Sequence, residues 1–182
     1  MFTPEQYRIG LLLALGMMAV DGLAASPGGP GLGVPATAEE IARRDTSVFP
    51  DGSGLPPGQG NVAAGKLLYD SQCAFCHGPH GMGASAEELA GRGKLNSATP
   101  DKTIGNYWPY ATTVFDFIRR SMPLHKPGSL SDADVYALTA YLLHLNGLIG
   151  ANTVLNAETL PRIIMPNREG FVRMWPEPTG LR

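Results

Sequence analysis

The chain has 182 residues, with 14 Lys and Arg against 16 Asp and Glu and a formal net charge of -2. So even a balance gives no case for nucleic acid or an anionic membrane surface as a partner. The length suits one domain, and two cysteines are too few to complete a zinc site by themselves.

A short polar stretch carrying Arg8 precedes an apolar run, Ile9 to Val20, and the small residues around Ala24 and Ala25. This is the pattern of a secretory signal peptide over residues 1–25, cleaved after Ala24 or Ala25. The run is short against the roughly 20 residues of a membrane span, so membrane attachment follows only if the signal stays uncleaved. Export places the mature chain in the periplasm.

Residues 26–60 hold eight glycines and six prolines, more than a packed element carries. They form a Gly/Pro-rich N-terminal arm, either a flexible leader or a segment lying over the domain that follows. Within it, Thr37 and Glu40 have the spacing of a capping box for a short helix to Arg44. The first firm helix runs from about Asn61, a capping residue, to Gln72.

That helix leads into Cys73-Ala74-Phe75-Cys76-His77. Cys-x-x-Cys-His is the attachment signature of c-type haem. The two thiols lie about one helical turn apart, each able to join one vinyl edge of the porphyrin. The histidine that follows supplies the proximal nitrogen to iron. A dithiol redox site is the competing reading of Cys-x-x-Cys, and it lacks the βαβ pattern it would sit near.

Glycines at 78, 81, 83, 91 and 93 mark residues 78–106 as loop, with a turn of helix at Ala86 to Leu89. A second helix runs from Pro109, suited to a first helical position, to about Ser121. Tyr110, Val114, Phe117 and Ile118 form its apolar face, and Thr112, Thr113, Asp116, Arg119 and Arg120 fill the other. A third starts at Ser131, with Asp132 and Asp134 in its first turn and a stripe of Val135, Leu138, Leu142 and Leu145. Asn146-Gly147 ends it. A short helix fits Asn156 to Leu160 in the tail, and no strand pattern is convincing. The order is all-α, with the haem as the main apolar object the helices wrap.

The sixth iron position separates electron transfer from ligand binding. Met122-Pro123 follows the second helix, and a residue ahead of proline is held in extended backbone that can aim its thioether. Met165-Pro166 repeats the dipeptide and is the rival. His80, His125 and His144 could in principle ligate, but His80 is too near the proximal ligand and His144 falls off the apolar stripe. Tyr107, Trp108, Arg119 and Arg120 are candidates to contact the haem propionates. No residue is expected to be catalytic. Thioether ligation predicts a one-electron carrier closed to oxygen and peroxide.

Gly65-x-x-x-Tyr69, CAFCHG, Met122-Pro123 and the helix at residues 135–142 resemble single-haem class I cytochromes c. The resemblance implies one covalently bound haem c with His77 and Met122 as axial ligands. It also implies that the first and last helices cross, Gly65 making room for Tyr136 or Tyr141. The haem domain then covers residues 61–149, with 150–182 as a C-terminal extension packing on it or on a partner. The family's Gly-Pro-x-Leu stretch is missing: residues 86–91 read AEELAG, leaving the partner of His77 unnamed.

The stretches PDGSGLPPGQG, YWPYATTVFDFIRRSMP, ALTAYLLHLNGLIG and LPRIIMPNREGF resemble the cytochrome c subunit of periplasmic sulfite dehydrogenases of bacterial sulfur oxidation. That implies electrons taken from a molybdenum-cofactor dehydrogenase subunit and passed to a downstream cytochrome c. A carrier for a different periplasmic dehydrogenase, acting on alcohols or thiosulfate, is the alternative. A haem enzyme or sensor with an open distal site is a third reading.

Overall fold

A computed structural model of the chain describes residues 32–91, 93–172 and 174. The expected signal peptide, residues 1–25, lies outside them. Two units divide the chain, residues 1–41 and 42–182. At the end of the first, Thr37 opens helix α1 (Ala38–Arg44). The Glu40 amide donates to Thr37 Oγ1 at 3.2 Å, and the Thr37 amide donates to the Glu40 carboxylate at 2.8 Å. This is the reciprocal cap expected from the spacing.

The regular structure of the second unit is mostly helical. Its order is strand β1 (Gln59–Asn61), α2 (Val62–Gln72), the one-turn α3 (Ala74–His77), α4 (Ala111–Ser121), α5 (Asp132–Leu145) and strand β2 (Val154–Asn156). Helix α5 is central. Ser131 caps it with a full capping box: the Asp134 amide donates to Ser131 Oγ and the Ser131 amide to the Asp134 carboxylate, both at 3.2 Å. Residues Val135 to Leu143 are buried without a break. The expected single apolar stripe is thus a helix buried on all sides, packed by α2, α4 and both strands.

Helix α2 crosses α5 at Gly65. A Cβ placed there would overlap the Ala137 carbonyl and come within 2.8 Å of Tyr141 Cβ. Only a hydrogen atom fits, as the resemblance to class I cytochromes c implies, and Tyr141 is the aromatic beside it. The Tyr69 and Tyr141 rings pack tilted, 5.3 Å apart. Tyr136, the other candidate, lies against Phe115 at 4.5 Å.

Helix α4 starts at Ala111, not at Pro109. Tyr110 is extended, and the segment before it is held as loop by Asn167 Nδ2 donating to Tyr107 O at 2.7 Å. On α4 the expected polar side is partly inside: Thr112 and Asp116 are buried, and Phe117 is 45 % exposed. The arm explains this. The Val48 amide donates to Asp116 Oδ1 at 3.2 Å, and Arg119 Nη1 donates to Thr46 O at 3.4 Å. Residues 46–48 therefore cover the face that periodicity assigned to solvent.

Strands β1 and β2 form an antiparallel ribbon, with Gln59 opposite Asn156 and Asn61 opposite Val154. Neither is long enough to show alternation in sequence. Leu155 of the ribbon, and Leu160 and Met165 beyond it, are buried in the same core. The tail's short helix is a 3₁₀ turn at Leu160–Arg162, later than expected. Asn156 holds the chain in a side-chain turn first, its Oδ1 accepting from the Glu158 and Thr159 amides at 2.9 Å. The turn of helix expected at Ala86 to Leu89 is irregular loop. No helix among the described residues is long and apolar enough to cross a membrane.

Two measurements check this packing. Gly65→Val forces α2 and α5 apart and lowers unfolding stability by about 3 kcal/mol in urea titration. Burial also pushes the Tyr69 and Tyr136 phenols up to about 12, above their ordinary value of about 10. Between those pH values the unfolded chain loses protons that the folded one keeps. Stability therefore holds below pH 10 and falls as pH rises through 10 toward 12, which an alkaline urea series will show.

Candidate functional site

A cavity of about 660 Å³ opens beside the crossing, walled by residues of α2, α3, α5 and the turn after α4. Its lining is nearly all apolar, with Leu89, Ile118, Leu138 and Leu142 among it. Tyr69, Cys73, Cys76, His77 and Met122 also line it.

The Cys-x-x-Cys-His segment ends in one turn of helix, Ala74–His77, separated from α2 by Cys73. The Cys76 and His77 amides both donate to Cys73 O, at 3.1 and 2.9 Å. This turn brings both thiols and the imidazole to the cavity. Gly78 then reverses the chain at φ 73°, where a Cβ would also run into the Gly83 backbone. Buried Tyr69 donates its hydroxyl to Gly78 O at 2.8 Å. The return loop is fastened to the motif by Gly83 N donating to His77 O and Ala86 N to Cys76 O, both at 2.8 Å.

His77 Nδ1 donates to the Glu87 carbonyl at 2.9 Å. This supplies the partner that residues 86–91 left unnamed. It fixes the ring and the tautomer, leaving Nε2 as the nitrogen able to ligate. Met122 follows α4 in extended backbone, φ -117° and ψ 148°. Cys73 is partly buried and Cys76 is exposed. Burial, with Cys76 beside it, pushes the Cys73 thiol up to about 11.

The remaining candidates lie elsewhere. Met165 is buried in the core but is not on the cavity wall. Tyr107, Trp108, Arg119 and Arg120 are not on it either. Arg119 Nε pairs with Asp132 at 3.1 Å, and Arg120 pairs with Asp116. Tyr107 and Trp108 pack edge-on against Phe171 and Phe117 at 5.4 and 5.6 Å. Of the other histidines only His125, which is exposed, reaches the cavity rim. His144 Nδ1 donates to Ile149 O at 3.1 Å.

Two thiols, an imidazole with one nitrogen to spare and a thioether surround an apolar cavity of ligand size. This donor set fits haem c in chemistry and in volume. Fold and site together define a class I c-type cytochrome, a class whose cofactor is haem c.

Residues 60–142 match the family profile described as cytochrome C oxidase, cbb3-type, subunit III. A chain of the crystal structure of the sulfane dehydrogenase SoxCD from Paracoccus pantotrophus is 48 % identical, with a TM-score of 0.74. The match covers 79 % of this chain and 71 % of that one. The chain belongs to the c-type cytochromes, in the family of that SoxCD chain. A thiosulfate dehydrogenase of Stutzerimonas stutzeri is 39 % identical over 93 residues, 48 % of this chain and 28 % of its own length. One of Psychrobacter arcticus is 32 % identical over 114 residues, 58 % and 33 % respectively. The chain thus spans a third or less of the length of these two relatives.

Removing the hydroxyl that closes the turn behind the motif tests this framework. Tyr69→Phe leaves Gly78 O without its buried donor and costs about 1–3 kcal/mol of stability, read from the thermal midpoint.

Proposed function

We propose that the chain is the haem subunit of a periplasmic dehydrogenase of reduced sulfur compounds. The observation that carries this is the 48 % identity to the SoxCD chain over most of both chains. The thiosulfate dehydrogenases match over a shorter stretch, so they support the cytochrome domain more than its substrate. In this reading a molybdenum-cofactor subunit oxidises the sulfur compound and hands electrons to this chain. The sequence stretches quoted above imply sulfite; the SoxCD match supports sulfane sulfur. The two differ in the donor subunit, and this chain's work is the same in both.

Cys73 and Cys76 would hold one haem c by thioether bonds. His77, braced by the Glu87 carbonyl, would offer Nε2 to the iron, and Met122 would offer its thioether sulfur. When bound, haem c supplies one-electron exchange between ferric and ferrous iron. Leu138, Leu142 and Ile118 keep water from the buried side of the cavity, while exposed Phe75 and Leu124 stand at its open side. Oxidation of sulfite, with water as the oxygen donor, yields sulfate, two protons and two electrons, which the dehydrogenase subunit accepts. A one-electron carrier is therefore visited twice per turnover, passing each electron to a downstream cytochrome c.

Sulfite or a sulfane-sulfur donor added to the natively purified complex will produce the ferrous visible bands rapidly. The isolated chain, still reducible by dithionite, will stay ferric. Reduction of the isolated chain at the same rate rejects the subunit role. Met122→Ala will open the sixth position, so that carbon monoxide or cyanide binds where the parent protein resists both. Ready binding by the parent protein rejects Met122 ligation.

A further inference from the structure

We infer that Asn146 is a positioning residue for the proximal histidine, holding the loop whose carbonyl braces His77. This rests on the haem reading above. Asn146 sits at the C-terminal cap of α5 and is buried. All the hydrogen-bonding capacity of its amide is used. Nδ2 donates to Leu142 O in its own helix at 2.9 Å and to Leu89 O across the interface at 3.1 Å. Oδ1 accepts from the Gly105 amide at 3.1 Å and the Gly91 amide at 3.4 Å. One side chain thus joins the end of α5 to both arms of the loop between α3 and α4.

The segment that matters is short. Ala86 N is bonded to Cys76 O on one side of Glu87, and Leu89 O is bonded to Asn146 on the other. Glu87 O, the acceptor for His77 Nδ1, lies between these fixed points. The Leu89 and Ala90 amides also donate to Gly81 O, at 2.8 and 3.0 Å. These bonds orient residues 81–90 among themselves, whereas Asn146, together with the buried Ile104 amide that donates to Leu89 O at 3.1 Å, ties them to the rigid core. Beyond the 3₁₀ turn Pro79–Gly81, the described residues of the loop form no helix or strand to do this. A carbonyl held on the Nδ1 proton raises ligand basicity and favours the higher oxidation state. Loosening that carbonyl makes the imidazole a weaker donor and shifts iron toward ferrous.

The test uses the full haem-loaded protein with Asn146→Ala and Gly105→Ala. The second keeps the amide but displaces it, because a Cβ at residue 105 would come within 2.8 Å of Asn146 Cβ and 3.0 Å of Cγ. It decides the matter if the first does not fold. Leu155→Ala is the control, a core truncation in β2 away from the cavity wall. The redox equilibrium of the Asn146 and Gly105 variants should move at least threefold toward ferrous, about 28 mV at about 59 mV per decade. The His77 Nδ1 proton should exchange at least tenfold faster by NMR. Leu155→Ala should leave both unchanged despite its lower stability. If both variants keep their potential and exchange rate, or if Leu155→Ala shifts them equally, the inference fails while the haem reading stands. A parent protein without covalently bound haem overturns the haem reading, and the inference with it.

Discussion

The close approach of α2 and α5 at Gly65 is the contact on which the rest of the second unit depends. Backbone meets backbone there, with the Ala137 carbonyl in the space a side chain would need. Helix α2 runs directly into α3, so the crossing sets where the haem-attachment motif begins. The Tyr69 and Tyr141 rings close over the contact. The Tyr69 hydroxyl carries the constraint one step further, to the carbonyl of the turn behind His77. A single small residue in this way links helix packing to the placement of the three side chains proposed to hold haem.

The two proposed axial ligands are held by different means. His77 belongs to a turn of helix and is aimed by a backbone carbonyl from a loop. Met122 is aimed by extended backbone at a helix end, and α4 itself is gripped on its outer face by the arm through Asp116 and Arg119. Carbonyl bracing of the imidazole favours ferric iron, and a thioether favours ferrous. The potential of such a centre is a compromise between a loop and a helix terminus. Its tuning therefore involves residues well outside the motif.

Much of this was legible in sequence where one residue type has one physical meaning. Asn61 and Ser131 mark helix starts because their side chains accept from amides two or three residues on, and both do so here. Cys73, Cys76 and His77 share a cavity because their spacing is that of a helical turn. What escaped were partnerships made across the fold. A carbonyl carries no sequence signal, so Glu87 could not be named as the brace for His77. Asp116 read as solvent-facing because periodicity cannot show that residues 46–48 return to cover it. Arg119 and Arg120 suggested anion binding, yet their guanidinium groups meet Asp132 and Asp116. The three-residue strands fall below the length at which alternation is visible, and only their pairing makes them strands.

The β1–β2 ribbon also governs how the domain would respond to tension. Gln59 lies opposite Asn156, so the chain leaving toward the N-terminus and the chain leaving toward the C-terminus exit at the same end of the ribbon. A force drawing the two ends apart loads the ribbon's hydrogen bonds one after another, as in opening a zip, and not in parallel shear. The ribbon would open first, and the next resistance would come from Leu160 and Met165, buried in the core beside it. In mechanical terms the second unit is fastened where its two flanking segments meet.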